Sequence, residues 1–257
     1  MILDSYHLDG KIALITGGSR GIGRAIALAF AEVGADVIVT SRKLPDLEEV
    51  AKQISVLGRR SLAISAHCAK KEDIDNLVAR TLAEFGRIDI LVNNAGTNPA
   101  YGQIVDLEEW AWDAIMGLNL KGYFLLSQTV AKQMIKQGHG CIINMASDAG
   151  TRPYAGLGAY SVSKAGVLML TRVMAGELGK YNIRVNAIAP GILQTKFSSH
   201  VVDTPELSEK VVEQTALKRV GQPEDTVGVA IMLASDASKH VSGQTIVING
   251  GATPFGA

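Results

Sequence analysis

Seven short apolar runs recur along this chain: Ile12 to Ile15, Val37 to Val39, Leu62 to Ile64, Ile88 to Val92, Cys141 to Met145, Val185 to Ala189 and Ile246 to Ile248. They are rich in Val, Ile and Leu and show no polar alternation, so each reads as a strand buried on both faces. Between them lie stretches with helical spacing, over 21–33, 47–57, 72–85, 108–136 with a break, 159–181 and 224–235. Strand and helix in alternation predict a doubly wound α/β architecture, a parallel seven-stranded sheet with helices on both faces. No Pro/Ser-rich or charge-rich stretch divides the 257 residues, which we read as a single domain over 1–257. In such sheets ligands bind beyond the carboxyl ends of the strands, so residues that follow a run carry the most functional weight.

The first run leads into Thr16-Gly-Gly-Ser-Arg-Gly-Ile-Gly23. Gly17, Gly21 and Gly23, with Ser19, Arg20 and Ile22 between them, open the first helix, where free backbone N–H groups and the helix dipole suit a pyrophosphate. The spacing is Gly-x-x-x-Gly-x-Gly and not the Gly-x-Gly-x-x-Gly dinucleotide fingerprint. After the second run, where a carboxylate would accept from a ribose 2′-hydroxyl, the chain reads Ser41-Arg42-Lys43. A hydroxyl and guanidinium there, with Arg20 nearby, suit a 2′-phosphate, so NADP is the expected cofactor and NAD the alternative.

Tyr160 and Lys164 stand four apart, a spacing that puts both on one helix face, and Ser147 lies 13 residues upstream of the tyrosine. A free tyrosine holds its proton to about pH 10, and a nearby ammonium is expected to favour the phenolate. Lys+Arg and Asp+Glu each total 25, so no global field draws nucleic acid or an anionic membrane, and the expected partner is a small molecule. Cys68 and Cys141 form no Cys-x-x-Cys, which argues against a metal site and fits a cytoplasmic protein. No signal peptide, membrane span or Ser-Lys-Leu ending is read from the sequence.

With these residues in hand, the chain resembles the classical short-chain dehydrogenase/reductases. The likeness runs through the glycine turn, Asn93-Asn-Ala-Gly96, Asn119 in Leu-Asn-Leu-Lys-Gly, Ser147, Tyr160-Ser-Val-Ser-Lys164 and Pro190-Gly-Ile-Leu-Gln-Thr195. It implies a Rossmann-like fold and a catalytic set of Asn119, Ser147, Tyr160 and Lys164. Tyr160 is then the acid/base, Ser147 holds the substrate oxygen, Lys164 tunes the phenol and bonds the nicotinamide ribose, and Asn119 positions a relay water. Asn94, Ala95 and Gly96 line the cofactor cleft, and Pro190, Gly191, Ile192, Leu193 and Thr195 contact the nicotinamide end, with the Thr195 hydroxyl on the carboxamide. Family members often carry Asp after the third strand, to meet the adenine amine; here the stretch is Ala66-His67-Cys68, and His67 and Cys68 take that place.

Thr97-Asn-Pro, Lys196-Phe-Ser and Arg219-Val-Gly-Gln-Pro-Glu-Asp225 are similar to the NADP-dependent carbonyl reductase branch related to retinal reductases, as is the ending Gly-Gly-Ala-Thr-Pro. The expected activity is reversible hydride transfer between NADP(H) and a ketone, aldehyde or secondary alcohol. A 3-oxoacyl-carrier-protein reductase, a sugar or polyol dehydrogenase and a silent nucleotide sensor are the competing readings. Residues 196–217 are expected to form a substrate lid, with Phe197, Val201, Val202 and Leu207, and Met145, Tyr154 and Leu157 across the cleft. Apolar positions on more than one face of the helix after Ala159, with Tyr123, Phe124 and Leu125, predict a homotetramer or homodimer. Trp110 and Trp112 are expected to be packed or at a subunit contact.

Overall fold

The protein is described by a computed structural model over residues 1–252. Residues 253–257, which carry the last part of the ending compared above, lie outside the described residues. Seven strands form one parallel sheet: β1 Ile12–Thr16, β2 Asp36–Ser41, β3 Ser61–Ser65, β4 Ile90–Asn93, β5 Gly140–Met145, β6 Ile183–Pro190 and β7 Thr245–Ile248. Each sits on one of the apolar runs. Helices α1 Gly21–Glu32, α2 Leu44–Val56, α3 Lys71–Phe85, α4 Glu109–Met116, α5 Tyr123–Gln137, α6 Gly158–Leu178, α7 Ser199–Val202, α8 Pro205–Gln214 and α9 Val227–Ala234 connect them. The two short helices α7 and α8 lie inside the segment expected to be a lid.

The strand order is β3-β2-β1-β4-β5-β6-β7, in register through Leu14 with Ile38 on one side and Leu91 on the other. Successive strand residues point to opposite faces. Ala13, Ile15, Val37 and Val39 therefore pack under Ile26, Phe30, Leu47 and Leu233 of α1, α2 and α9. Leu14, Ile38 and Leu91 pack under Ile74, Leu77, Leu126, Val130 and Met174 of α3, α5 and α6. Each Val, Leu, Ile, Phe or Met among them, fully buried, contributes about 1.5–3 kcal/mol, which favours inner strands apolar on both faces; the edge strands β3 and β7 are only partly covered.

The order reverses between β1 and β4, and the crossovers on either side leave a crevice at the carboxyl edge of the sheet. Two local features shape its floor. The break expected within 108–136 is a π-helical turn over Gly117–Gly122, centred on the buried Asn119. Beneath it, Asn93 Nδ2 donates to Ser127 Oγ at 2.8 Å and to Asn144 Oδ1 at 2.9 Å, and Asn144 Nδ2 donates to Thr171 Oγ1 at 2.9 Å. This buried polar chain ties α5 and α6 to β4 and β5, fixing the helix that carries Tyr160 relative to the strand that carries Ser147. No helix among the described residues is long and apolar enough to cross a membrane.

Candidate active site

The carboxyl edge opens into a cleft of about 790 Å³, walled by the residues that follow six of the strands: Gly17, Ser41 and Arg42, Ala66 to Ala69, Asn94 to Thr97, Ala146 to Ala149, and Gly191 to Ser198. All the catalytic and cofactor-binding residues expected from the sequence border it except Gly23 and Asn119. Gly23 is small for a reason: a Cβ there would run into the Gly17 carbonyl oxygen. Gly17 itself has φ of +65°, and a Cβ on it would lie 2.8 Å from Asn94 Nδ2. Asn94 holds this turn down, donating from Nδ2 to the Thr16 carbonyl at 2.9 Å while its N–H reaches Thr16 Oγ1 at 2.8 Å. Its amide thus supports the cleft wall from behind.

The N-terminus of α1 has no side-chain cap and no acidic residue in its first turn, so its leading N–H groups are left for an external acceptor. Arg20 and Arg42 stand exposed on the wall, and among the described residues neither is engaged in a salt bridge. Lys43, at the start of α2, does not border the cleft. An uncapped helix end, a glycine cradle that a Cβ would fill and two free guanidiniums fit a dinucleotide diphosphate.

At the other end Tyr160 and Lys164 lie on α6 and face the cleft. The Ser147 hydroxyl accepts from the Ala149 N–H at 3.2 Å, so the serine also caps the turn after β5. Lys164 is only 3% exposed; its Nζ donates to the Met145 carbonyl at 2.7 Å and lies 5.7 Å from the centre of the Tyr160 ring. The sequence led us to expect an ammonium that draws the phenol's pKa down. The balance here runs the other way: burial pushes Tyr160 up to about 12, the hydrogen bond with Ser147 partly offsetting it, and Asp148 adding to the rise. Burial likewise pushes Lys164 down to about 7. Removal from water dominates both shifts, and the lysine is turned to the Met145 carbonyl and not to the phenol.

Asn119 lies buried in the π-helical turn beneath the cleft. Its Oδ1 accepts from the Thr97 N–H at 2.8 Å, and its Nδ2 donates to the Thr97 carbonyl at 2.9 Å and to Ser163 Oγ at 3.3 Å. These bonds fix the Asn119 side chain against the Thr97 backbone and α6, while its Oδ1 keeps one lone pair beyond the Thr97 N–H.

The family model described as Enoyl-(Acyl carrier protein) reductase matches residues 17–253. Among curated relatives, Dehydrogenase/reductase SDR family member 4 of Oryctolagus cuniculus is 37% identical over 95% of this chain and 94% of that protein. The 2-dehydro-3-deoxy-D-gluconate 5-dehydrogenase of Escherichia coli is 40% identical over 98% of both. The chain belongs to the short-chain dehydrogenase/reductase family. Among solved structures, a gluconate 5-dehydrogenase from Burkholderia cenocepacia in complex with NADP and tartrate superposes with a TM-score of 0.95, at 35% identity and with full coverage of both chains. The protein is therefore an NAD(P)-dependent oxidoreductase.

In this short-chain dehydrogenase/reductase the turn after β6 is knitted together by Ser198, which donates to the carbonyls of Leu193 and Thr195. Thr195 Oγ1 lies 3.0 Å from Ser198 Oγ. With the Ser198 proton so placed, Thr195 donates to it and keeps its own lone pairs free to accept from an N–H, such as a carboxamide's. Phe197 stacks obliquely on Tyr160, ring centres 5.7 Å apart, and Val201, Met145, Tyr154 and Leu157 complete an apolar wall. Val202 and Leu207, grouped with them from the sequence, do not border the cleft; the turn of α7 and α8 carries them away.

Sequence reasoning missed Tyr101, Asp113, Ala114, Leu118, Asp148 and Gln194, all of which line the cleft. Leu118 and Gln194 stood inside quoted motifs and Asp148 beside Ser147, while Tyr101, Asp113 and Ala114 carried no signal. Asp148 is nearly buried, accepting from Tyr154 at 2.7 Å and from Arg152 at 3.0 Å. Trp110 and Trp112 are both exposed, not packed within the protomer.

Proposed function

We propose that this enzyme is an NADP-preferring carbonyl reductase or alcohol dehydrogenase, acting on a ketone, aldehyde or secondary alcohol in a mostly apolar pocket. One observation carries the reading: a single cleft joins an uncapped helix end and two unpaired guanidiniums to a Ser147–Tyr160 pair beside a buried lysine. The dinucleotide, when bound, supplies or accepts the hydride. The remaining work falls to the chain. Ser147 and Tyr160 donate to the carbonyl oxygen, stabilising the charge that grows there as the bond is reduced. Tyr160 completes the reduction by releasing its phenolic proton to that oxygen, and reclaims it in oxidation. Lys164 would hold the ribose of the bound cofactor, and Ile192, Leu193 and Thr195 on the same cleft would hold its nicotinamide end. Phe197 and Val201, on the lid over 196–217, exclude water from the reacting atoms.

The NADP preference rests on Ser41 and Arg42, where no carboxylate is present to meet a 2′-hydroxyl, and on Arg20 across the cleft. A panel of ketones, aldehydes, secondary alcohols and keto-sugar acids, run with both cofactors, tests the whole reading. Turnover is expected with the simple carbonyls and NADPH. Arg42→Asp is expected to reverse the cofactor preference by about 10-fold or more, because a charge-assisted phosphate contact becomes a repulsion. An unchanged preference would place the 2′-phosphate elsewhere. The gluconate dehydrogenase relatives favour a second reading, a sugar-acid dehydrogenase, in which Lys196 at the cleft wall meets the substrate carboxylate. Activity confined to the keto-sugar acids would select it.

The reading extends to assembly. Phe124 on α5 and Val162, Met169 and Val173 on α6 leave about half of each side chain in water, an apolar face that the protomer's own sheet does not cover. A homotetramer built through these helices in a cytoplasmic enzyme accounts for them. Sedimentation is expected to give four protomers, and Met169→Glu with Val173→Glu to give smaller species; a wild-type monomer at micromolar concentration would refute it.

A further inference from the structure

One acidic side chain at the reacting end of the cleft takes no part in the steps above. Asp148 directly follows Ser147, is only 5% exposed and borders the cleft. Two further observations place it: its charge adds to the burial that holds the proton on Tyr160, and its Oδ2 would lie 3.5 Å from a Cβ on Gly191. It therefore stands close to both the Ser147–Tyr160 pair and the turn after β6. Its two carboxylate oxygens are not equivalent. Oδ2 accepts from the Tyr154 hydroxyl at 2.7 Å and from Arg152 Nη2 at 3.0 Å, while no group among the described residues donates to Oδ1.

The surroundings say what donor that oxygen would take. Burial and the bond to Asp148 push the Tyr154 phenol above its ordinary pKa, so it keeps its proton and commits it to Oδ2. In the reaction above, Ser147 and Tyr160 also donate, both to the carbonyl oxygen. The reacting end thus offers donors to one substrate oxygen and, on the residue next to Ser147, a free acceptor to another. The charge of the occupant follows from Arg152, whose guanidinium sits on Oδ2 and over the Tyr154 ring, 4.9 Å from its centre. The Asp148–Arg152 pair carries no net charge, so an ammonium gains little there, and an anion would meet a bare carboxylate oxygen. A neutral hydroxyl gains a charge-assisted hydrogen bond.

We propose that Asp148 selects ketones with a hydroxyl on the carbon next to the carbonyl, and in the reverse direction the matching vicinal diols, by accepting a hydrogen bond from that hydroxyl at Oδ1. This deepens the carbonyl reductase reading and rests on it. The hydroxyl itself is left intact. The carbonyl carbon takes the hydride and the carbonyl oxygen takes the Tyr160 proton, while the neighbouring hydroxyl keeps its own proton and only orients the substrate against Asp148.

Steady-state rates of the purified enzyme with NADPH on acetoin, on its methyl ether and on butanone test this. The ether keeps the electron-withdrawing oxygen and loses the donor, so it separates hydrogen bonding from carbonyl reactivity. For wild type, kcat/KM on acetoin is expected to exceed that on the ether by about 10-fold or more. Asp148→Asn is expected to abolish or reverse that ratio. Because Tyr154 and Arg152 both donate at the Oδ2 position, the amide oxygen takes that place and the NH2 group the other, which turns an acceptor into a donor. A purely structural role would lower all three substrates by one factor and leave the ratio as it was. Arg152→Gln keeps a donor to Oδ2 without the cation, and is expected to shift selection towards the aminoketone of the same skeleton by about 10-fold. A wild-type ratio within about threefold, an Asp148→Asn ratio still at about 10-fold, or a wild type that prefers the aminoketone to acetoin would each overturn the proposal. Equal turnover of all three ketones would do so while leaving the carbonyl reductase reading in place, whereas no turnover of these or of any simple carbonyl would sink that reading and this one with it.

Discussion

Tyr160→Phe is expected to lower carbonyl reduction by about 10²–10⁴-fold, the range in which a positioned proton donor contributes, while NADPH affinity stays unchanged. The phenylalanine keeps the contact with Phe197 and the packing on α6, so only the hydroxyl is lost. Steady-state rates with a calorimetric Kd separate the two. The pH dependence of the wild type gives a second, independent sign. A phenol raised to about 12 stays protonated through neutral pH, so reduction, which needs the proton, should hold level there and fall only in the alkaline range. Oxidation needs the phenolate and should climb with pH over the same span. Retained turnover in the phenylalanine variant, or an oxidation rate that falls as pH rises from 7 to 10, would point to another proton carrier.

Lys164→Met is expected to lose turnover by about 10²–10³-fold and to gain thermal stability at neutral pH. The gain follows from linkage. Folding depresses the lysine from 10.5 to about 7, so between those values the unfolded chain binds more protons than the folded one. The stability of the wild type is therefore fully present above 10.5 and is lost as pH falls through about 7. Methionine fills similar space without a charge and removes that loss, so its advantage in Tm should be largest near pH 6 and shrink towards pH 10. Melting curves at both ends of this window check the sign; a variant less stable than wild type at pH 6 would mean that the bond to the Met145 carbonyl outweighs the cost of burying the ammonium.

A lysine kept where it destabilises the fold is what a functional site looks like in physical terms. The same local conflict appears at Asn93 and Asn144, polar residues inside strands that are otherwise apolar, where the network they form sets α5 and α6 against the sheet. In the sequence Asn93 stood only as part of a motif, and Asn144 lay unremarked inside an apolar run. The break in the helix over 108–136 was legible in the pattern, yet its π-helical form and its closure on Cys68 were not, because they depend on the strand it packs against.

Seven apolar runs and the helical stretches between them determined the sheet, because a strand covered on both faces has no other way to satisfy its side chains. The glycine turn, Ser147, Tyr160 and Lys164 were likewise readable, since each follows a strand or repeats at helical spacing. Only the tertiary structure decided how these groups are charged and what surrounds them: that Tyr160 is raised and not lowered, and that the Asn119 amide bonds both the N–H and the carbonyl of Thr97. Local pattern fixes which face a residue takes. Ionisation and hydrogen-bond direction depend on desolvation and on partners far away in the chain, and these exist only once the elements have packed.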